Sequence, residues 1–269
     1  MGLNEPVRNA REQQIAADAA GSDHVSESTT APPRAGLIDC LGLRWFFRLL
    51  SSSIGQKFVM AITGLLLCGF LVVHLEGNLL LFLSAEKYNA YAHFLHSQEE
   101  LLMVAETGLF LLFLAHLYLA FATAWGNSQS RLDQYAMKQS KQPRGNLATS
   151  PSAWMFGSGA IVLGFVILHL IDMKFMARPD IKYLDEHDPN APYANAVAVL
   201  SNPISWVAYI VGAIVLGFHL SHGVSSAFQS LGLNHPKYTP LIKWAGRIFA
   251  FVIAVGFASL PVLIPNLKR

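Results

Sequence analysis

The chain has 269 residues, of which 53% are hydrophobic and 13% are charged, and its formal net charge is +2. So apolar a composition excludes an ordinary water-soluble domain, and so small a net charge gives no indication of a nucleic-acid partner. Its two cysteines, Cys40 and Cys68, form neither a disulfide framework nor a CxxC metal motif.

Residues 1–35 are polar and rich in alanine, serine and proline. They lack the apolar stretch of a signal peptide, and Pro6 stands where a myristoylation motif requires serine or threonine. We therefore expect residues 1–35 to be a flexible N-terminal tail. An arm that lies on a partner protein is the alternative.

Residues 36–57 follow an amphipathic helical pattern. The apolar residues recur every four positions: Leu37, Leu41, Trp45 and Leu49. This spacing predicts a short interfacial helix on the membrane surface, with Trp45 at the level of the lipid headgroups. A backward extension of the first membrane span fits the same periodicity equally well.

Residues 58–265 contain five apolar stretches, each long enough to cross a bilayer, which takes about 20 mostly apolar residues. They lie near Phe58–Phe82, Leu101–Ala124, Trp154–Met176, Pro203–Phe228 and Leu241–Ile264. Inside lipid every backbone polar group needs an internal partner, so these stretches must be helical. The sequence therefore predicts an all-α membrane protein with a bundle of five transmembrane helices.

Lysine and arginine set the expected orientation of the spans. They concentrate before the first span and in the loops after the second and fourth, whereas acidic residues dominate the other two loops. The first of these two contains the segment AEKYNAYAHFLHSQEE, which we interpret as a polar loop. The positive-inside rule then places the N terminus in the cytoplasm, although Lys268 and Arg269 run against it. We expect a multi-pass protein of the cell inner (plasma) membrane.

Each of the first four predicted spans carries one histidine: His74, His116, His169 and His219. An ionisable ring is costly in lipid unless it is paired or ligating. The first and third rings lie about 15 residues from the cytoplasmic side and the other two about 8 or 9, giving two layers roughly 10 Å apart. Two imidazoles per layer are the axial ligands of a low-spin b haem. The pattern predicts a bundle with two haem b sites, in which His74 pairs with His169. In the other layer His116 pairs with His219.

Further residues are candidates for haem contacts. His222 lies on nearly the same helix face as His219, so it is either the ligand itself or a hydrogen-bond donor to a haem propionate. Arg247, in the fifth span, either reaches the interface or binds a propionate. Glycines in the same spans either make room for the flat macrocycle or allow close helix packing. They are Gly64, Gly69, Gly77, Gly157, Gly159, Gly164, Gly212 and Gly217.

Three segments resemble a known family of membrane proteins: QKFVMAITGLLLCGFLVVHLEGNLLLF, KYNAYAHFL and FHLSHGVSSAFQSLG. They are similar to the cytochrome b subunit of succinate dehydrogenase and fumarate reductase, in the single-polypeptide, di-haem, b558-like family. The HLxGN and FHLxHG motifs are its most specific part, and the likeness runs from about Ser53 to the end of the fifth span. The resemblance implies the same histidine pairing, and it implies that the fourth ligand is His219, which follows Phe218, rather than His222.

The resemblance also implies a function: a membrane anchor of respiratory complex II, the succinate:quinone oxidoreductase of the tricarboxylic acid cycle. A flavoprotein subunit with FAD and an iron–sulfur subunit would bind at the cytoplasmic face. Electrons would pass through the two haems to a quinone, expected to be menaquinone. No residue of this chain would act on succinate itself, and the direction of electron flow and a higher oligomer stay open.

Two quinone sites are compatible with the sequence. Ser53 and Lys57 have a Ser-x-x-x-Lys spacing that resembles the Ser-x-x-x-Arg quinone site of related anchors. Interfacial anchoring, or a salt bridge to a partner subunit, is the alternative role for this pair. The second site would lie near the outer haem, where Asn78, His96 and Glu106 offer hydrogen bonds and protons.

Other functions fit the same features. A di-haem cytochrome b that anchors a hydrogenase or a formate dehydrogenase would share the spans and the histidine pairs. A haem-free proton-conducting protein would use the histidines as a relay, but such proteins often show inverted repeats and broken helices, which we do not see in this sequence. A structural anchor with packed histidines is the third alternative.

Overall fold

The structure is a computed structural model that describes Trp45, Arg48 and residues 51–129, 151–185 and 187–267. The chain divides into two units, Met1–Trp45 and Phe46–Arg269. Of the first unit only Trp45, a helical residue with an exposed side chain, is described. The predicted tail at 1–35, and the part of the 36–57 segment before Trp45, lie outside the described residues.

Seven helices account for most of the described ranges, which contain no strand. They are α1 (Ser53–Leu79), α2 (Ala85–Ser97), α3 (Glu99–Gln129), α4 (Pro151–Met173), α5 (Ala191–Ser201), α6 (Pro203–Ser230) and α7 (Thr239–Leu263). Short 3₁₀ turns, Leu80–Phe82 and Ile264–Asn266, follow α1 and α7. The helices α1, α3, α4, α6 and α7 are long and apolar enough to cross a membrane. The predicted all-α fold with five membrane-spanning helices is therefore confirmed.

The outward surface of the long helices is apolar. Large side chains such as Leu66, Phe110, Phe218 and Phe251 are more than half exposed. In water so large an exposed apolar surface would be unfavourable, because burying apolar surface lowers the free energy by about 25 cal/mol per Å². In a bilayer the same side chains contact lipid, as the membrane assignment requires.

Polar caps fix where the spans begin. The Ser52 hydroxyl accepts a hydrogen bond from the Gly55 N–H at 3.1 Å and so begins α1. The Asn202 side chain does the same for α6, accepting from the N–H groups of Ile204 and Ser205. Each cap gives a partner to backbone donors that the helix itself leaves unpaired.

The segment AEKYNAYAHFLHSQEE, interpreted from the sequence as a polar loop, is instead helix α2 for most of its length. Its weak apolar stripe, with Tyr88, Ala92 and Leu95 at helical spacing, was hidden among polar residues. The buried Asn89 side chain accepts a hydrogen bond from the Tyr193 N–H at 2.8 Å, which joins α2 to α5. Both helices lie at the end of the bundle where α1 ends, which we call the Phe82 end. The opposite end of the bundle, where α1 begins, is the Ser53 end.

The spans pack in a defined order. Among the described residues the closely packed pairs are α1 with α3, α1 with α6, α4 with α6, and α7 with both α6 and α1. The remaining side, between α3 and α4, is joined by the Phe121–Phe156 ring contact and by the Lys174–Glu106 ion pair. Helices α1 and α4 are therefore diagonal partners in a four-helix bundle, and so are α3 and α6.

Candidate functional site

One histidine pair joins the diagonal helices α1 and α4. The rings of His74 and His169 have centroids 5.7 Å apart and are nearly perpendicular, at 84°. Two imidazoles on opposite sides of one iron would have centroids about 6 Å apart, because each metal–nitrogen bond is about 2 Å long and each centroid lies about 1 Å behind its nitrogen. The structure thus brings this predicted pair together at a separation that suits two axial ligands.

The second pair joins the other diagonal, α3 and α6. His116 is on α3 and His219 is on α6. Each ring also lies against a glycine of a neighbouring helix. A Cβ atom at Gly64 would come within 3.3 Å of His116 Cε1, and one at Gly159 within 3.4 Å of His219 Cε1. The glycines therefore leave the space that these two rings occupy.

Hydroxyl groups hold the two rings of the second pair in the same way. Thr63 Oγ1 lies 3.2 Å from His116 Nδ1 and donates its proton to the Met60 carbonyl. Ser158 Oγ lies 3.1 Å from His219 Nδ1 and donates to the Met155 carbonyl. Because each hydroxyl proton is already used, the oxygen accepts from Nδ1–H, which leaves Nε2 unprotonated. A metal-binding histidine needs this arrangement, with one nitrogen held and the other free.

In the first pair, a hydroxyl group lies beside Nδ1 of one ring but not beside Nδ1 of the other. His169 Nδ1 lies 3.3 Å from the Tyr209 hydroxyl. At His74 the neighbour is Asn78, whose amide donates to the His74 carbonyl at 2.7 Å and lies 3.5 Å from Nε2. The shorter contact is the effective hydrogen bond, since a distance of 3.5 Å is at the limit for a real one.

Helices α1 and α4 carry the same twelve-residue pattern, [Thr/Ser]-Gly-x4-Gly-Phe-x3-His, at positions 63–74 and 158–169. In both copies the first two residues contact a histidine of the second pair. The phenylalanine lies beside the copy's own histidine, with ring centroids 5.2 Å apart for Phe70–His74 and 6.0 Å apart for Phe165–His169. This repeat is visible in the sequence as a match between the first and third spans.

The repeat also sets the depth of the two layers. In each helix ten residues separate the glycine that contacts the second pair from the histidine of the first, or about 15 Å between Cα atoms. Side chains lean towards the N terminus of their helix, and the helices of the two pairs run in opposite directions. The rings therefore lie closer together in depth than their backbones.

The glycines named in the sequence serve different purposes. A Cβ atom would collide with Phe165 at Gly212, with Ala254 at Gly217 and with Tyr91 at Gly77, so these three allow close packing. At Gly69 and Gly164, the second glycines of the repeat, a Cβ atom would meet nothing within 4 Å. Both lie between the two histidine layers along their helices, where a flat macrocycle would need a helix surface without side chains.

The described residues fit haem better than a bare metal ion. Among them, no group of three or more histidine, cysteine or acidic side chains could hold an ion. A b haem needs only two protein ligands for its iron, because the macrocycle supplies the others. Two pairs of histidines on diagonal helices, with Nδ1 held by a hydroxyl at three of four rings, meet that need.

Several other predicted residues lie apart from the histidine pairs. His222 is held by Ser221 Oγ at 3.0 Å and by the carbonyl of Phe218. Arg247 is exposed on α7, and Ser53 and Lys57 are exposed at the start of α1. All four of these residues lie at the Ser53 end of the bundle.

The three residues predicted for an outer quinone site have separate partners at the Phe82 end. Asn78 contacts His74, as described above. His96 hydrogen-bonds the carbonyl of Ala92 in its own helix, and Glu106 pairs with Lys174 at 2.7 Å. No contact among the described residues joins these three side chains.

Sequence reasoning missed a buried polar cluster beside His169. Asp172, near the end of α4, is fully buried and accepts a hydrogen bond from Ser205 Oγ at 3.0 Å. Arg178 contacts it at 3.3 Å and also binds Asp180 through two hydrogen bonds. The Arg178 guanidinium holds the pKa of the Asp180 carboxyl well below its usual range. An aspartate inside the apolar run HLIDM was the available signal, because such a residue is costly unless paired.

Comparisons with protein-family models, with curated proteins and with solved structures found no match.

Proposed function

We propose that this protein is the di-haem cytochrome b membrane anchor of a succinate:quinone oxidoreductase, and that electrons from an iron–sulfur subunit pass through two b haems to a quinone. The observation that carries the proposal is the pair of histidine layers on diagonal helices, with glycines and hydroxyls placed around the rings. The family resemblance of the HLxGN and FHLxHG motifs selects succinate as the electron donor among the dehydrogenases that use such anchors.

The protein's part in this function is to hold four imidazoles. The Nε2 atoms of His116 and His219 face away from the hydroxyls that fix their rings, which leaves those lone pairs for iron. The four histidines would hold the two haem irons, and the haems, when bound, would supply one-electron transfer. The apolar helices around the rings exclude water and thereby set the reduction potential.

The distribution of lysine and arginine favours an orientation of the bundle in which the Ser53 end faces the cytoplasm. With the Ser53 end in the cytoplasm, the flavoprotein and iron–sulfur subunits dock there, and the His116–His219 layer receives electrons first. The His74–His169 layer then lies nearer the outer face. The membrane is the cell inner (plasma) membrane.

Of the two candidate quinone sites, the one at Ser53 and Lys57 is favoured by the exposure and the contacts of the candidate residues. Both side chains are exposed and stand one helical turn apart at the end where the iron–sulfur subunit docks. Glu106 and His96, by contrast, already have partners in this chain. A menaquinone carbonyl would accept hydrogen bonds from the hydroxyl and the ammonium group.

The test is to purify the complex through a tag on this chain and add succinate under anaerobic conditions. We expect flavoprotein and iron–sulfur subunits to co-purify and succinate to reduce b-type haem, with an absorption change that a competitive inhibitor of succinate oxidation abolishes. Haem that dithionite reduces but succinate does not, together with hydrogenase or formate dehydrogenase subunits, would assign the anchor to that other dehydrogenase.

The quinone assignment has its own control. Lys57→Met should lower the rate of quinone reduction while haem content and haem reduction by succinate persist. Lys243→Met removes another exposed lysine near the Ser53 end and should leave the rate unchanged. Equal rates in both variants would rule out Lys57.

A further inference from the structure

Among the described residues, a buried charged side chain lies near only one of the four histidines, His169. Asp172 is 0% exposed, and its two carboxylate oxygens accept hydrogen bonds from Ser205 Oγ at 3.0 Å and from Arg178 Nη1 at 3.3 Å. The Arg178 side chain is only 12% exposed and binds Asp180 as well. Two carboxylates share one guanidinium, so the cluster carries a net charge of −1 when all three groups are ionised.

Tyr209 connects this cluster to the histidine. Its hydroxyl lies 3.3 Å from His169 Nδ1. Tyr209 stands one helical turn after Ser205, which binds the Asp172 carboxylate, and Asp172 stands one turn after His169. The Tyr209 ring packs edge-on against Phe165 at 5.2 Å, which limits its movement. The hydroxyl can therefore donate towards the carboxylate while its oxygen accepts from Nδ1–H.

Stability alone gives little reason for this arrangement. Replacing a buried ion pair by apolar side chains of similar size is often neutral or stabilising, because taking the charges out of water is costly. The second histidine pair also shows that a neutral hydroxyl is enough to hold a ring. At His116 and His219 the hydroxyls of Thr63 and Ser158 donate to backbone carbonyls instead of to a carboxylate.

We propose that Tyr209 and Asp172 are positioning residues which hold His169 and lower the reduction potential of the haem at the His74–His169 layer relative to the haem at the other layer. This inference rests on the proposed function, since it requires haem at both layers. The carboxylate polarises the Tyr209 hydroxyl, whose oxygen then accepts more strongly from Nδ1–H. The imidazole becomes a more basic ligand and favours ferric over ferrous iron.

The experiment is a redox titration of the two haems in the purified complex, in the wild type and in Tyr209→Phe and Asp172→Asn. Variants that lose one layer, His74→Ala and His116→Ala, identify which transition belongs to which haem. We expect both substitutions to raise the midpoint potential of the His74–His169 haem and to leave the other potential unchanged. The electron paramagnetic resonance signal of the same ferric haem should shift as well.

Two controls separate this effect from general damage. Tyr193→Phe removes a hydroxyl at the same end of the bundle, where the ring packs on Tyr88 rather than on a histidine, and it should shift neither potential. Ser158→Ala should alter only the haem at the other layer. If Asp172→Asn does not fold, Tyr209→Phe decides the matter, because it removes a single oxygen atom.

Unchanged potentials in a Tyr209→Phe protein that keeps two succinate-reducible haems would overturn this inference and leave the proposed function intact. Equal shifts of both potentials would overturn it too, because they indicate a change in the whole bundle. A wild-type complex without haem would overturn both the inference and the proposed function.

Discussion

The two histidine pairs lie on the two diagonals of one helical bundle but have different surroundings. At the pair nearer the Ser53 end, neutral hydroxyls of Thr63 and Ser158 hold the rings. At the pair nearer the Phe82 end, His169 is held by Tyr209, and the buried carboxylate of Asp172 lies one helical turn further along α4. One repeated sequence pattern can thus form two sites of the same ligand type, while residues outside the repeat make the sites electrostatically different.

The largest effect should come from removing a ligand. His74→Ala and His116→Ala should each reduce the haem content from two to one per chain, because a bis-histidine iron loses half of its protein ligation. Pyridine haemochrome quantification measures this directly. His222→Ala is the matched control and should keep both haems. A set of alanine variants at all four ligands with two haems and unaltered spectra would contradict the pairing.

The second largest effect on haem content should come from filling the open space beside the second glycine of each repeat. Gly69→Leu and Gly164→Leu place a side chain where nothing lies within 4 Å, so the helices should still pack while haem content falls. Gly108→Leu makes the same change at another open glycine, on α3, and should bind haem normally. Retention of both haems in the first two variants would mean that these glycines face lipid rather than a macrocycle.

The hydroxyl partners should have a smaller effect that is confined to one layer. Thr63→Val keeps the side-chain volume but removes the acceptor for His116 Nδ1, and losing such a partner typically weakens metal binding about 10- to 100-fold. We expect partial loss of one haem or a shifted potential for it. Thr123→Val removes a hydroxyl whose partners are backbone carbonyls of its own helix and the Met60 sulfur, and it serves as the control. Identical behaviour of the two variants would remove Thr63 from the site.

The smallest effect should be on stability at the Phe82 end. Because the folded-state pKa of Asp180 is depressed by Arg178, the stabilisation is present above the unfolded pKa of about 4 and is lost as pH falls through the lower folded value. Asp180→Asn should therefore lower the thermal midpoint at neutral pH, by a modest amount because the carboxylate is partly exposed. Thermal scans from pH 7 down to pH 3 should show the difference narrowing. A gap that widens on acidification would contradict the ion pair.

Sequence alone predicted the parts of the fold that depend on long apolar runs. All five spans lie where hydropathy indicated, and His74 and His169 meet as their equal depth suggested. Depth follows from counting residues along a helix, which needs no knowledge of how the helices are rotated.

Contacts between helices could not be predicted in this way. Which side chain of α1 faces His116 depends on the rotation of α1 about its axis, which the length and depth of an apolar run do not determine. Helix α2 was missed because its apolar stripe is short and interrupted by polar residues, and it is buried only where Asn89 meets α5. Asp172 was passed over because its partners Arg178 and Ser205 come from two other segments.

The most direct test of the central claim is the haem count of the purified, folded protein. A dithionite-reduced minus air-oxidised spectrum with pyridine haemochrome quantification should give two b haems per chain. An intact preparation without haem, from cells supplied with haem, would contradict the account and would leave the four histidines to packing or to proton transfer.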